Sequence, residues 1–169
     1  MSTWSPARVA RYREAEHVPG VPLAVLRIPA VKLAVPVFDG TSEQNLNRGA
    51  GRIAGTAQVG EPGNVGIAAH RDGFFRALKD VHIDDSLLLE RLGATDTYRI
   101  VSTTVVDPSD VSVLEPTATH SVTLVTCFPF YFVGSAPRRF IVHAERVSTK
   151  KTPAGEKPAG VEGRVALGR

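Results

Sequence analysis

The sequence predicts an all-β fold, a barrel or sandwich of short strands with short connecting helices. Short β-branched apolar runs recur along the chain, each bounded by Pro, Gly or Asp clusters, and helical spacing is confined to brief segments. The 169 residues are 43% hydrophobic and 22% charged, with 15 Gly and 12 Pro. That balance fits one compact domain and is too apolar for a disordered chain.

Ser5-Pro6 followed by Ala-Arg-Val-Ala-Arg-Tyr-Arg-Glu-Ala-Glu reads as a helix. Ser5 is its N-cap, Pro6 its first helical residue, and Trp4 is placed to staple onto Val9. It ends before Pro19-Gly20. The period then changes, and Leu23–Ile28 and Val31–Val37 read as two strands separated by Pro29-Ala30. From Gly40 to Gly55 the caps and polar spacing give a turn and a short helix, started by Thr41 or Ser42 and stopped by Gly49 and Gly51.

Further strands are expected at Asn64–His70, Ser86–Arg91, Thr97–Val106, Ser121–Thr126 and Arg139–Ala144. Asp72 to Asp80 carries Phe74, Phe75 and Leu78 at helical spacing, and Asp107 to Leu114 opens as a turn or short-helix start. Residues 1–20 are thus an N-terminal helix and linker, 21–147 the β domain, and 148–169 a basic tail. With almost no large apolar group, the tail cannot bury enough surface to offset its ordering entropy and is expected to be disordered.

The formal net charge is +3. From Ser148 onward five basic residues face two acidic ones, a surplus of three that accounts for the whole excess. A nucleic-acid surface would carry its basic excess on the folded domain, so that class is disfavoured. The most apolar stretch, Val18 to Phe38, is interrupted by Arg27, Lys32 and prolines and is no membrane span. The opening Met1-Ser-Thr-Trp4 lacks a signal peptide's charged region and apolar core, which leaves either a cytoplasmic protein or one whose anchor is absent from this chain.

Cys127 is the single cysteine. It excludes an internal disulfide framework and multi-cysteine zinc or iron–sulfur sites, and is either an inert core thiol or a reactive one. It ends an apolar strand just before Phe128-Pro129, a place where a side chain can be exposed. His70 ends another strand, ahead of the abrupt turn Arg71-Asp72-Gly73, and could meet Cys127 there. Acyl transfer needs such a pair, because the thiolate is the nucleophile and an imidazolium both stabilises it and protonates a leaving amine. His17, His82, His120 and His143 lie in linker, loop or mid-strand settings that suggest no such pairing. Arginine suits the negative charge of a tetrahedral intermediate. Arg139 opens the strand after the Tyr131–Pro137 loop, antiparallel to the strand of Cys127; Arg138 competes with it, and alternation lets only one point inward.

Thr123-Leu-Val-Thr-Cys127, with Gly66-Ile-Ala-Ala-His-Arg-Asp-Gly-Phe-Phe75 and Arg139-Phe-Ile-Val142, resembles the sortase family of cysteine transpeptidases, and most the class D type. The motifs occur in the family's order. The resemblance spans Ile28 to Val147, including the Ile-Pro, Pro-Val-Phe-Asp-Gly and Leu-Asn-Arg-Gly-Ala-Gly segments. It implies an eight-stranded β-barrel, with His70, Cys127 and Arg139 catalytic at one end of a groove and Thr126 helping to bind the oxyanion or substrate backbone. It also implies cleavage of a Leu-Pro-x-Thr-Gly-like sorting signal after Thr, through a thioacyl enzyme resolved by an amine. The partners implied are secreted proteins bearing that signal and an amine acceptor on cell-wall precursor or another protein, at the extracytoplasmic face of the cell envelope. No cofactor is implied. The family commonly has Gly before its histidine, where this chain has Ala69, a change tolerated unless the backbone there requires a positive φ.

A thiol hydrolase would use the same residues, with water resolving the thioester. An L,D-transpeptidase would need a Ser-His-Gly-Cys-like motif, and the neighbours of Cys127 do not provide it. A catalytically inactive peptide-binding barrel would carry an ordinary thiol. Asp107, Asp110 and Glu115 show no calcium-loop spacing and read as solvated charges.

Overall fold

Alternation along each strand puts large apolar side chains on one face, and curling that face inward closes the sheet. The computed structural model describes residues 4–16, 20–131 and 134–153. Its strands are β1 (Ala24–Ile28), β2 (Leu33–Asp39), β3 (Ala50–Arg52), β4 (Asn64–Ala68), β5 (Ser86–Arg91), β6 (Ala94–Val106), β7 (Ser121–Phe128) and β8 (Arg138–Lys151). Helices α1 (Pro6–Glu16) and α2 (Glu43–Arg48) join them. The strands form a closed barrel in the order β1-β2-β3-β4-β7-β8-β6-β5, with β5 pairing back onto β1. The β2–β3 and β4–β7 pairs are parallel and the others antiparallel. The barrel is filled by residues such as Leu26, Val35, Ile67, Leu89, Ile100 and Leu124, all fully buried.

The predicted eight-stranded all-β barrel is therefore the fold, and its details depart from expectation in instructive places. Ser5 caps α1, accepting from the Arg8 amide at 3.2 Å. Trp4, expected to staple onto Val9, packs edge-on against Tyr12 and against Phe74, the latter with ring centroids 4.8 Å apart. Ser42 is the N-cap of α2, accepting from the Asn45 amide, and Gly49 ends that helix. Gly51, expected only as a stop, lies in β3. That strand has no β-branched residue and exists through its partners, Val37↔Ala50 and Phe38↔Gly51. A Cβ on Gly51 would come within 2.3 Å of the Gly40 carbonyl oxygen, so only glycine permits that approach.

The segments after His70 and Asp107 form 3-10 turns at Phe74–Asp80 and Ser112–Leu114. The expected end of the β domain at Val147 is passed by β8, whose Ser148–Lys151 pair with Ala94–Thr97 of β6. Those four residues, assigned to the tail from composition, form strand because a partner edge was waiting for them. The rest of the expected tail from residue 154 lies outside the described residues. No helix among the described residues is long and apolar enough to cross a membrane.

Candidate active site

On β7 the core-facing residues are Val122, Leu124 and Thr126, so Thr123, Val125 and Cys127 leave the barrel's outer face. Register partners project to the same side of a sheet. Cys127 pairs with Arg139 of β8, Val125 with Ile141 and Thr123 with His143. On the other flank, Ala68 of β4 pairs with Val125. His70 lies two residues beyond Ala68, so continuing that register brings it level with Cys127. The chain stays on β7 up to that point, because the Ala69 amide donates to the Val125 carbonyl at 3.3 Å and the Thr126 hydroxyl donates to the Ala69 carbonyl at 2.8 Å. A bond from the Gly73 amide to the His70 carbonyl, 3.2 Å, then closes the turn. Positive φ among described non-glycine residues falls at Lys32 and Asp84, so Ala69 takes its place without backbone strain.

Cys127 is half-buried. The His70 side chain is 25% exposed, and its Nε2 lies 3.7 Å from Glu43 Oε1 of α2. That nitrogen is buried without a hydrogen-bond partner among the described residues. Burial pushes the His70 pKa below the ordinary histidine value, the Arg8 and Arg11 guanidinium groups add to this, and Glu43 and Asp72 oppose it. The imidazole is therefore inclined to give up a proton.

Arg139 shares the face of Cys127, whereas Arg138, one residue out of register, faces the other way and lies 3.6 Å from Asp107. The Arg139 guanidinium rests on the carbonyl oxygens of Ala136 and Arg138, at 3.3 and 3.0 Å. Alternation turns the Thr126 side chain into the barrel, where it is 2% exposed and donates to Ala69. What its side chain does is hold the His70 segment against β7.

The outer face is hollowed farther along the strands, at the level of Ile141 and His143. Asn64, Ser102, Thr104, Val113, Ile141 and His143 are among the residues lining a cavity of about 360 Å³ there. Its wall is the segment between β6 and β7, held by buried Asn64, whose side-chain amide donates to the Val113 and Glu115 carbonyls, both at 3.1 Å. Asn64 also accepts from Thr123, whose hydroxyl lies 3.0 Å from His143 Nδ1. Within that wall Asp110 accepts from the amide and hydroxyl of Ser112, which gives it a turn-capping place. Sequence reasoning missed this network and the Arg8–Asp72 pair described below. No local motif signals a contact made between distant segments.

A family model described as a sortase domain matches residues 26–147, a stretch that contains His70, Cys127 and Arg139. Among curated proteins the chain is similar to Sortase D of Bacillus subtilis (strain 168), at 34% identity over 127 residues, covering 73% of this chain and 63% of that protein. The chain thus spans less than two thirds of that relative's length. Among solved structures it is similar to sortase A of Listeria monocytogenes, with TM-score 0.72 and 27% identity over 79% of this chain and 92% of that one. It is also similar to sortase E1 from Streptomyces coelicolor with a tripeptide in the active site, with TM-score 0.71 and 28% identity over 84% of this chain and 98% of that one. With the family's motifs standing at neighbouring strand ends of one closed barrel, and a family model matching most of its length, the chain belongs to the sortase family.

Proposed function

We propose that the protein is a cysteine transpeptidase of the class D type, with His70, Cys127 and Arg139 as its catalytic residues. The observation that carries this is the register: Cys127 pairs with Arg139 on β8, and β4 runs beside β7 up to Ala68↔Val125, two residues short of both His70 and Cys127. A cavity lined by Asn64 of β4 and by Ile141 and His143 of β8, strands that flank β7, supports a peptide substrate laid over the strands. The substrate is a secreted protein with a Leu-Pro-x-Thr-Gly-like sorting signal, and the acceptor is an amine on cell-wall precursor or on another protein. The reaction takes place at the extracytoplasmic face of the cell envelope.

The Cys127 thiol passes its proton to the His70 imidazole, and the thiolate attacks the carbonyl carbon of the Thr residue, forming a C–S bond and placing negative charge on the carbonyl oxygen. Arg139, a permanent cation one strand away, stabilises that charge once its guanidinium swings from the loop carbonyls. Collapse of the intermediate breaks the C–N bond, and the His70 imidazolium gives its proton to the departing amine. The thioester is then attacked by the acceptor amine, which forms a C–N bond and loses its proton to the now neutral imidazole as the Cys127 thiolate leaves. The lowered His70 pKa suits the first proton transfer, since a more acidic imidazolium protonates the leaving amine more readily.

The test is mass spectrometry of the protein incubated with a small library of Leu-Pro-x-Thr-Gly peptides, with and without an added amine, beside Cys127→Ala. An acyl adduct on Cys127 that converts to an amine-linked product is expected. A folded protein that forms no adduct, with a thiol no more reactive than free cysteine, would sink the assignment.

A further inference from the structure

Helix α1 lies outside the residues matched by the family model, yet it reaches the turn that carries His70. We propose that Arg8 of α1 is a positioning residue for His70: its guanidinium ties the turn after His70 to helix α2 and so fixes where the imidazole stands against β7. The proposal rests on the reading of His70 as the proton donor.

Arg8 is 6% exposed, and it and Ala15 are the buried residues of α1. A desolvated guanidinium is tolerated only where its donors meet acceptors. Its Nε donates to Asp72 Oδ1 at 3.1 Å, a second nitrogen lies 3.0 Å from the same oxygen, and the third donates to Asn47 Oδ1 at 2.7 Å. Asp72 sits in the turn closed by the Gly73 amide on the His70 carbonyl. Asn47 is on α2, which also carries Glu43 beside His70 Nε2. One fork thus spans the two segments flanking the imidazole, a geometry that a planar guanidinium provides and an ammonium does not. Packing supports the tie, because a Cβ on Gly73 would lie 3.7 Å from the Arg8 side chain and 3.8 Å from the Trp4 ring.

The charged groups that act on His70 are Arg8 and Arg11 from α1, Glu43 from α2 and Asp72 from its own turn; Cys127 and Arg139 stand on the neighbouring strands β7 and β8. Arg8 and Asp72 act on it with opposite sign. A test therefore exists that general loosening of the turn does not mimic.

In a Cys127→Ala background, His70 is titrated by NMR with Arg8→Gln and separately with Asp72→Asn. Arg8→Gln is expected to move the imidazole pKa up and Asp72→Asn to move it down. In the otherwise intact enzyme, Arg8→Gln is expected to lower kcat about tenfold with little change in KM, as misplacement of a catalytic group does. Arg8→Lys restores the charge without the fork, so it is expected to return the titration toward the parent while recovering kcat only in part. Should Arg8→Gln fold poorly, Arg8→Lys and Asp72→Asn carry the comparison. An unchanged titration with unchanged kcat in Arg8→Gln would overturn the proposal, as would shifts in the same direction from both variants. Full activity in His70→Ala would instead overturn the role given to His70, while the titration still scores Arg8.

Discussion

Cys127 and Arg139 are direct partners across the antiparallel β7–β8 ladder, so their side chains leave the barrel on the same side. Arg138 pairs with Phe128 and leaves on the other side. The adjacent arginines are therefore separable by mutation. Arg139→Ala is expected to lower kcat/KM by about 10²–10³, the range for losing a donor to a developing oxyanion. Arg139→Lys recovers part of that loss, since it keeps the charge but not the fork. Arg138→Ala removes only an exposed pair with Asp107 and should leave activity nearly unchanged. Initial rates of amine-linked product formation decide this, and equal losses from Arg138→Ala and Arg139→Ala would contradict the register argument.

Two partly buried histidines make stability depend on pH. Burial, the largest cause in each case, lowers the pKa of both His70 and His143 from the ordinary value of 6.5. The unfolded chain then holds more protons than the native one as pH falls through that value, so stability rises with pH in this window. It is at its full value above about pH 7, declines as pH drops through 6.5, and levels off below the native pKa values. Thermal midpoints measured between about pH 7.5 and 5 should fall with pH, and His143→Gln should flatten part of the slope. A midpoint that rises on acidification through this range would show that the histidines are not held neutral.

Much of the barrel was legible because local chemistry and long-range pairing agree in most of it. Leu23 to Ile28, Ser86 to Arg91 and Ser121 to Thr126 are β-branched or apolar runs with clear stops, and strands lie there. Cys127, His70 and Arg139 were legible as strand-end residues and as members of a family's ordered motifs. What could not be read depended on partners distant in sequence. Ala50-Gly-Arg52 becomes β3 because Val37 to Asp39 on one side and Ile67 and Ala68 on the other accept it. Ser148 to Lys151 extends β8 only because Ala94 to Thr97 lies opposite. The inward turn of Thr126 follows from alternation once the outer face is known, whereas Arg8 against Asp72 joins residues 64 positions apart and leaves no local trace.

The β8 extension owes its position to a buried charge. Asp96 is fully buried, accepting from Arg91 Nε at 2.7 Å and from Thr149 at 2.6 Å, with Arg146 at 3.8 Å. Burial alone would raise its pKa, but the bonds from Arg91 and Thr149 and the charges of Arg91 and Arg146 together hold it below the ordinary value. Removing one member of a buried pair strands the other. The two arginines are partly exposed and can turn to water. Asp96→Ala is thus expected to cost about 2–3 kcal/mol, below the full buried-pair range. Thr149→Val, which loses one bond, should cost about 1 kcal/mol. Denaturant unfolding measures both, and a neutral Asp96→Ala would mean that the network contributes nothing net.

Asn64 links the barrel to the groove wall, and its loss should affect binding more than chemistry. Its side chain holds the Val113 and Glu115 carbonyls and accepts from Thr123, all far along the strands from Cys127. The wall also needs room, since a Cβ on Gly66 would come within 2.9 Å of Leu114. Asn64→Ala leaves the Val113 and Glu115 carbonyls without their donor and the Thr123 hydroxyl with His143 as its partner, at a cost of about 2 kcal/mol to stability. Because His70, Cys127 and Arg139 are held by other contacts, the released wall should raise KM for a sorting-signal peptide while kcat changes little. Gly66→Ala should do the same through displacement of Leu114, at a smaller stability cost of about 1 kcal/mol. Steady-state kinetics on both variants reads the split directly. A fall in kcat at unchanged KM would place the influence of Asn64 on the reacting groups instead of on the wall, and the groove would lose its assigned part in holding the peptide.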